Sequence, residues 1–447
     1  MGAPFFLKSV VDRRAMITRA NHWVGTVIMI GLLPRVQAAR RHWSGPSGFR
    51  IDRQRKGMTS QKPVPSLQLG GATSFMIRLY RLIALATVLA GLSACTHVPA
   101  RLPILDTSAA DGRSETILIA TTRVPSEDPA LRLSNLRGDL SFARADVWVP
   151  SNRHAGEINH PSRQPDPSRE FGLTGYQEGM SSADWYDDLD RQLSALPLTE
   201  RQVLVFVHGF NTPFSDGLYL NAQILNDFGV NTVAVHYAWP SAGQVTAYLQ
   251  DRDSALFARD GLADLLVTVA DSPSISVTIL AHSMGAHVTM EALRQLSLEG
   301  RSEVLAKIDP VILAMPDIAF DVFFSQLDAI EPRPENMTVL VSGRDQALRV
   351  SDSLSGGGLA RIGIGAQQDA LTAHGIAVLD LTGLRDGTVI GHTDFAASTT
   401  LMQLAASGAL DHAFNAEAQS SGSLLPAPLA AIAAQIIRLP ARAFGDN

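Results

Sequence analysis

The chain has 447 residues, of which 46% are hydrophobic and 18% are charged, a balance that is ordinary for a globular protein with a sizeable core. Its net charge of −6 gives no indication of nucleic-acid binding. The single cysteine, Cys95, excludes an internal disulfide and a cysteine-rich zinc site. The charge is unevenly distributed along the chain. Residues 1–75 carry 12 Lys/Arg and 2 Asp/Glu, whereas residues 76–447 carry 25 Lys/Arg and 41 Asp/Glu.

Residues 76–94 have the parts of a secretory signal: Arg78 and Arg81 at the start, a short apolar run, and small residues before Cys95. The apolar run is shorter than the roughly 20 residues of a membrane span. The sequence Leu-Ser-Ala-Cys at 92–95 resembles the lipobox of bacterial lipoproteins, in which the cysteine is lipidated and becomes the mature N-terminus. The resemblance implies a lipid anchor at Cys95 and, with Thr96 next, an outer-membrane protein facing the periplasm. A plain signal anchor is the alternative.

Because a lipoprotein signal must be N-terminal to work, we expect translation to begin at Met76. Residues 1–75 are then an upstream or disordered basic extension, and the rival interpretation is an earlier signal that starts at Met16. The remaining boundaries that we predict are a tether at 95–115, a catalytic domain at 116–400 and a tail at 401–447.

The element pattern along residues 116–400 predicts an α/β fold. Short β-rich runs at 116–120 and 145–149 lie in a part that is otherwise loop-rich to about residue 180, and helical spacing follows at 184–195. Buried apolar runs then alternate with helical stretches at 217–228, 253–269 and 286–298, which is typical of a mostly parallel central sheet flanked by helices. The apolar runs are 203–207, 232–236, 277–281, 310–314, 338–341 and 376–379.

The strongest motif is Ala-His-Ser-Met-Gly at 281–285, between a predicted buried strand and a helix. It fits the G-x-S-x-G nucleophile elbow with alanine in the first glycine position. Residues at −2 and +2 must be small in such a turn, and the serine lies at a helix N-terminus, where N–H groups point at developing negative charge. Ser283 is therefore the predicted nucleophile.

His-Gly-Phe-Asn at 208–211 follows the first central strand, where backbone N–H groups can complete an oxyanion hole. We predict the N–H groups of Phe210 and Met284 as its donors. His208 is more typical of a structural hydrogen-bonding residue beneath this loop.

The general base should follow the last strand, and His392 lies there. His282 and His287 flank the nucleophile and His374 precedes the last strand, so none of them has the required position. For the acid that orients the base, Asp345 follows the penultimate strand and is favoured, while Asp317 follows the strand before it and remains the alternative.

Several stretches together resemble the DUF900 proteins, α/β hydrolases of unknown function in the esterase/lipase superfamily. The resemblance covers roughly residues 116–396 and implies the α/β-hydrolase fold with a Ser-His-Asp triad, but no substrate. The stretches that carry it are 119–123, 138–150, 203–211, 238–241, 248–251, 280–285, 316–317, 345–348 and 391–392.

The sequence therefore predicts a serine hydrolase, with carboxylester hydrolysis through an acyl-enzyme as the leading interpretation. This chemistry needs no metal or organic cofactor. Expected partners are a small-molecule or lipid ester and the membrane through Cys95, with no nucleic acid. An amidase, peptidase or acyltransferase with the same triad, and a non-catalytic lipid-anchored binding protein, remain alternatives. The aromatic residues at 237, 239 and 320–324 are more typical of core packing than of an acyl pocket.

Overall fold

The protein is described here by a computed structural model that covers residues 99–354, 361–364, 368–382, 394–398 and 401–402. Of the sequence predictions, residues 1–94, the lipidation site Cys95, the general base His392 and residues 403–447 lie outside the described residues.

Nine strands of the described chain form one sheet, in the order β3-β2-β1-β5-β4-β6-β7-β8-β9. Strand β2 is antiparallel to both of its neighbours, and every pair among β1 and β4–β9 is parallel. The mostly parallel sheet confirms the predicted fold class. The strands are β1 (Gly112–Pro125), β2 (Leu133–Pro150), β3 (Gly172–Met180), β4 (Gln202–Val207), β5 (Val233–Ala238), β6 (Ser276–His282), β7 (Ile308–Ala314), β8 (Met337–Val341) and β9 (Ala377–Asp380).

Helices connect the parallel strands, as the alternating pattern predicts. They are α1 (Ser182–Ser194), α2 (Phe214–Asp227), α3 (Tyr248–Ala270), α4 (Met284–Leu298), α5 (Ser302–Leu305), α6 (Phe320–Leu327), α7 (Gln346–Leu354), α8 (Gln368–Ala373) and α9 (Asp394–Ala397). Short 3₁₀ turns are present at Leu198–Glu200, Val245–Ala247 and Ile362–Ile364. Among the described residues, no helix has the length and apolar character that a membrane span requires.

The central strands read as continuous apolar runs because both faces of the sheet are covered. On β4, Val203, Val205 and Val207 pack into a core that includes residues of α1, α3 and α4. The alternate residues Leu204 and Phe206 face the opposite side, where α2 packs. This layering fixes the carboxyl ends of the parallel strands along one edge, and the Ser283 loop follows β6 at that edge.

The region before residue 180 is more regular than its composition predicts. Strands β1 and β2 form a long antiparallel hairpin and β3 extends it, although the sequence shows only two short β-rich runs. Strand β1 continues through the buried polar residues Thr121, Thr122 and Arg123, and the first half of β2 is partly exposed, so these parts lack the continuous apolar character by which buried strands are recognised. The folded region also begins before residue 116, because Leu102, within the predicted tether, is fully buried.

Candidate active site

Ser283 occupies a sharp turn between β6 and α4, with φ 52° and ψ −121°. A non-glycine residue in such a conformation is strained by about 1–3 kcal/mol and persists only where its surroundings hold it. Three backbone hydrogen bonds do so. The Ser283 N–H donates to the Ala314 carbonyl (2.9 Å), and the Ser283 carbonyl accepts from the N–H groups of Ala286 and Asp317 (3.1 Å each). The predicted strand–turn–helix context of this serine is therefore present.

The small residues around the turn are explained by contacts with the backbone. A Cβ atom on Gly285 would lie 2.3 Å from the His208 carbonyl oxygen and 2.5 Å from that of Val207, so only glycine fits. Ala281 is fully buried within β6, where its single methyl group is accommodated. The crowding at 285 arises because helix α4 begins directly against the end of β4, as the elbow spacing implies.

The loop after β4 lies against the turn at Ser283, which we call the nucleophile turn because Ser283 is the predicted nucleophile. A Cβ atom on Gly209 would come within 2.9 Å of Ser283 Cβ, so glycine allows the loop to approach this closely. Phe210 follows at once, and its ring packs edge-to-face on Tyr248 with centroids 5.4 Å apart. Met284 is the first residue of α4, where backbone N–H groups have no acceptor within the helix. Both predicted oxyanion donors thus belong to segments that border Ser283.

His208 lies beneath this loop and joins it to the loop after β5. Its Nδ1 and Nε2 atoms lie 3.0 Å from the carbonyl oxygens of Gly209 and Trp239, and Trp239 Nε1 donates to the His208 carbonyl (2.7 Å). The two rings are stacked. Burial lowers the pKa of His208 well below its usual range, and the nearby Arg123 cation lowers it further. These contacts fit a structural role rather than acid–base chemistry.

A buried carboxylate, Asp251 of α3, fixes the same two loops. It accepts hydrogen bonds from Ser241 Oγ (2.6 Å), from the Ala242 N–H (2.7 Å) and, at 3.4 Å, from the Asn211 N–H. Ser241 Oγ in turn accepts from the Thr212 N–H (3.1 Å). Burial raises the pKa of Asp251, while these hydrogen bonds oppose the rise.

Arg123, near the end of β1, also donates hydrogen bonds to the loops after β4 and β5. Its guanidinium donates to the carbonyl oxygens of Ser241 (3.1 Å) and Thr212 (2.9 Å), and also to that of Ser134 (3.1 Å). Burial lowers the pKa of Arg123 to about 9 although the Asp251 carboxylate opposes this, so Arg123 remains charged at neutral pH. We call Arg123, Ser241 and Asp251 the loop-anchoring cluster.

The two candidate acids have different surroundings. Asp317 accepts hydrogen bonds from Tyr248 Oη (3.1 Å) and Ser351 Oγ (2.6 Å), and its carboxylate lies 3.5 Å from Arg361 Nε. All four side chains are buried, so Asp317 is part of a polar cluster in the wall beside the nucleophile turn.

Asp345 is fully buried just beyond the end of β8. Its Oδ1 accepts from the Leu348 N–H (3.0 Å) and so caps helix α7. Since β7 alone separates β8 from β6, the ends of these two strands are about 10 Å apart.

The candidate base His392 is not among the described residues, but the segment that follows it is. Phe395, on α9, packs against the ring of His282 with centroids 5.1 Å apart, and His282 directly precedes Ser283, the predicted nucleophile. Gln223 Nε2 of α2 donates to the Ala396 carbonyl (2.9 Å) and holds α9 from the other side. The chain just beyond residue 392 therefore lies beside the nucleophile turn.

The other histidines near the turn have different environments. Gly209 lies directly above His282, because a Cβ atom there would be 2.7 Å from His282 Nδ1. His287 lies on α4 with its Nδ1 3.4 Å from Gln326 Nε2, and burial lowers its pKa. His374 is exposed next to Phe324.

Sequence reasoning assigned no role to Arg123, Ser241 or Asp251, although all three lie in the stretches that carry the family resemblance. Ser351 and Arg361 gave no signal, because nothing in their local sequence marks them as neighbours of Asp317. Tyr237 and Trp239 are fully buried in the main core, as expected for packing residues.

Residues 186–407 match the protein family described as alpha/beta hydrolase of unknown function (DUF900). The chain has the α/β-hydrolase fold. The match supports the predicted family and a hydrolase, and it spans the nucleophile turn, the loop after β4 and both candidate acids.

The similarity to individual proteins is more distant. An uncharacterized protein of Nostoc sp. (strain PCC 7120) is 27% identical over 22% of this chain, and the match covers 32% of that relative's length. Aspergillus fumigatus lipase B is 15% identical with a TM-score of 0.30, covering 51% of this chain and 58% of the lipase. A bacterial brefeldin A esterase is 13% identical with a TM-score of 0.29, covering 79% and 84% respectively.

Proposed function

We propose that the α/β hydrolase is a carboxylesterase that forms an acyl-enzyme on Ser283. The observation that carries the proposal is the strained conformation of Ser283, at φ 52° and ψ −121°, in a turn that β6, α4 and three backbone hydrogen bonds maintain. Strain of this kind is kept where function requires it. The turn presents the hydroxyl at the carboxyl edge of the sheet, where open α/β sheets bind their ligands.

In the proposed reaction, Ser283 Oγ attacks the ester carbonyl carbon while His392 accepts the hydroxyl proton. The N–H groups of Phe210 and Met284 stabilise the tetrahedral oxyanion. His392 then returns the proton to the departing alcohol, and the acyl group remains on Ser283. Water attacks the acyl-enzyme by the same route and releases the carboxylic acid.

The assignment of His392 is supported by the described segment beyond it. Residue 392 is three residues from Phe395, so their Cα atoms are at most about 11 Å apart. Phe395 packs on His282, the neighbour of Ser283. An imidazole at position 392 is therefore within reach of the nucleophile turn.

Asp345 is favoured over Asp317 as the acid by its place in the order of the strands. Tyr248, Ser351 and Arg361 surround the Asp317 carboxylate, and one oxygen of Asp345 caps α7. Asp345 also follows β8, the strand next to the one that leads toward His392. This is the usual order of nucleophile, acid and base in the fold.

A fluorophosphonate probe, which reacts with activated serines, tests the nucleophile. We expect it to label the wild-type protein and to leave Ser283→Ala unlabelled, because no other hydroxyl occupies the elbow. Ser302→Ala, an exposed serine at the start of α5, is the matched control and should label normally.

Labelling that persists in Ser283→Ala would contradict the assignment of Ser283 as the nucleophile. Absence of labelling in the folded wild-type protein would instead favour a non-catalytic binding protein. Once labelling is established, turnover of a p-nitrophenyl ester but not of the matching anilide separates an esterase from an amidase.

We further propose that Cys95 carries a lipid and anchors the domain at the periplasmic face of the outer membrane. The lipobox-like sequence at 92–95 supports this proposal. Intact-mass analysis of membrane-extracted protein should show a chain that begins at Cys95 with added acyl groups. Cys95→Ser should lack them, and a wild-type mass without acyl groups would contradict the anchor.

A further inference from the structure

The chain contacts the catalytic domain within a few residues after Cys95. Tyr219 Oη of α2 donates to the Arg101 carbonyl (2.7 Å), and the Leu102 N–H donates to the Ala130 carbonyl (2.8 Å). Leu102 is fully buried. A lipid at Cys95 would thus be separated from an ordered part of the domain by only a few residues.

This attachment point lies at the sheet edge that carries Ser283. Pro99 lines a cavity of about 230 Å³ together with Arg123, near the carboxyl end of β1, and with Pro213 and Ser241, which follow β4 and β5. The Cα atoms of residues 95 and 99 are at most about 14 Å apart. A lipid at Cys95 would therefore hold this edge, and not the opposite one, close to the bilayer.

Exposed apolar side chains surround the same place. Leu136, Val245 and Leu249 are 61%, 45% and 70% exposed, and we call these three residues the apolar rim. Their sequence neighbours Asn135 and Gln244 line the cavity beside Pro99.

The two segments that carry the rim are bonded to each other. Arg137 of β2 donates to the Gln250 carbonyl (3.1 Å) and to Ser254 Oγ (3.0 Å), both on α3. This arrangement keeps Leu136 close to the start of α3, where Leu249 lies. Single exposed apolar residues are common on soluble proteins, but these three lie on segments that border or contact the surroundings of the cavity lined by Pro99.

We propose that the apolar rim rests on the lipid bilayer that holds the anchor at Cys95, so that the active-site edge faces the membrane. The substrates would then be esters carried in the membrane surface rather than dissolved ones. This inference rests on the proposed esterase and on the proposed anchor. Apolar side chains at such an interface are buried about 5–10 Å into the headgroup region, which a rim at the attachment point can reach.

A fluorophore on an introduced cysteine tests the contact without reference to catalysis. Cys95 is the only natural cysteine, and in the lipidated protein its thiol is blocked, so Leu249→Cys provides the reactive thiol. In vesicles of equal parts phosphatidylethanolamine and phosphatidylglycerol, we expect a polarity-sensitive dye at 249 to shift to shorter wavelength and to resist quenching by iodide. Leu298→Cys is the matched control, because Leu298 is 65% exposed at the far end of α4.

The same shift at both positions, or none at 249, would overturn the proposal. A shift at 249 that appears without vesicles would indicate contact with another protein chain and would also overturn it. The dye reports contact with the membrane, whereas the fluorophosphonate probe reports the reactivity of Ser283. The two experiments can therefore contradict the membrane contact and the esterase function independently.

The rate of ester hydrolysis provides a second test of the membrane contact. The triple variant Leu136→Ser, Val245→Ser and Leu249→Ser should hydrolyse a long-chain ester embedded in vesicles at least about tenfold more slowly, a loss equivalent to about 1.4 kcal/mol. Its turnover of a soluble short-chain ester should be unchanged. The control triple Leu198→Ser, Ile275→Ser and Leu298→Ser replaces exposed residues at the opposite edge and should affect neither substrate. Equal effects of the two triples would refute a role for the rim.

Discussion

Asp345→Asn is expected to lower kcat for ester hydrolysis by roughly 10⁴-fold, the size of effect that the same change has in a serine protease triad. An amide in place of the carboxylate cannot stabilise the imidazolium that forms on His392, and it favours the wrong tautomer of the ring. The fold should survive, because an asparagine oxygen can still accept the Leu348 N–H and cap α7. Steady-state kinetics with a p-nitrophenyl ester, together with circular dichroism, measure the two effects separately.

Asp317→Asn is the matched comparison. Because Asp317 is surrounded by Tyr248, Ser351 and Arg361, we expect this change to lower stability and to leave most of kcat intact. If Asp317→Asn lost activity by the larger factor and Asp345→Asn retained it, the acid would have to be reassigned to Asp317. His392→Ala should match the loss in Asp345→Asn or exceed it, and a fully active His392→Ala would contradict the proposed base.

Asp251→Ala is expected to lower the free energy of unfolding by roughly 3–5 kcal/mol, as removal of one member of a buried charge arrangement does. Three factors contribute to the loss. The buried Ser241 hydroxyl and the partly buried Ala242 N–H lose their acceptor, and the Arg123 cation loses its nearby anion. Equilibrium unfolding in urea measures the loss as a shift in the midpoint at constant slope.

Two variants control this measurement. Asp253→Ala removes an exposed carboxylate two residues away and should change stability by no more than about 0.5 kcal/mol. Asp251→Asn keeps the shape and one acceptor oxygen, so its loss should be intermediate. Stability of Asp251→Ala within the range of Asp253→Ala would show that the carboxylate does not hold the two loops together.

The central elements were predictable because their sequence pattern has a direct physical cause. The strands β4 to β9 are covered on both faces, so they read as apolar runs, and the predicted limits differ from the observed ones by one or two residues. The β1–β2 hairpin was predicted only in fragments. The end of β1 is buried but polar, at Thr121, Thr122 and Arg123, and the first half of β2 is partly exposed, so neither part has a continuous apolar run. Strand β3 was missed for the same reason, with several exposed positions along it.

The predicted nucleophile could be located from sequence because an elbow leaves small residues at fixed spacing around the serine. At Gly285 the crowding comes from the backbone of Val207 and His208 at the end of β4. No such sequence pattern predicts the loop-anchoring cluster. Arg123, Ser241 and Asp251 are distant in sequence, and only the packing of β1, the loop after β5 and α3 brings their polar atoms together.

Sequence by itself predicted the α/β class, the elbow motif at Ser283 and the family resemblance, since these depend on periodicity and on small residues at fixed spacing. The tertiary structure decided which side chains surround Asp317, how Arg123 and Asp251 hold the loop that borders Ser283, and where the chain that follows residue 99 meets the domain. Each of these depends on contacts between segments far apart in the chain. Such contacts are fixed by the order of the strands in the sheet and the packing of helices on it, which no local pattern specifies.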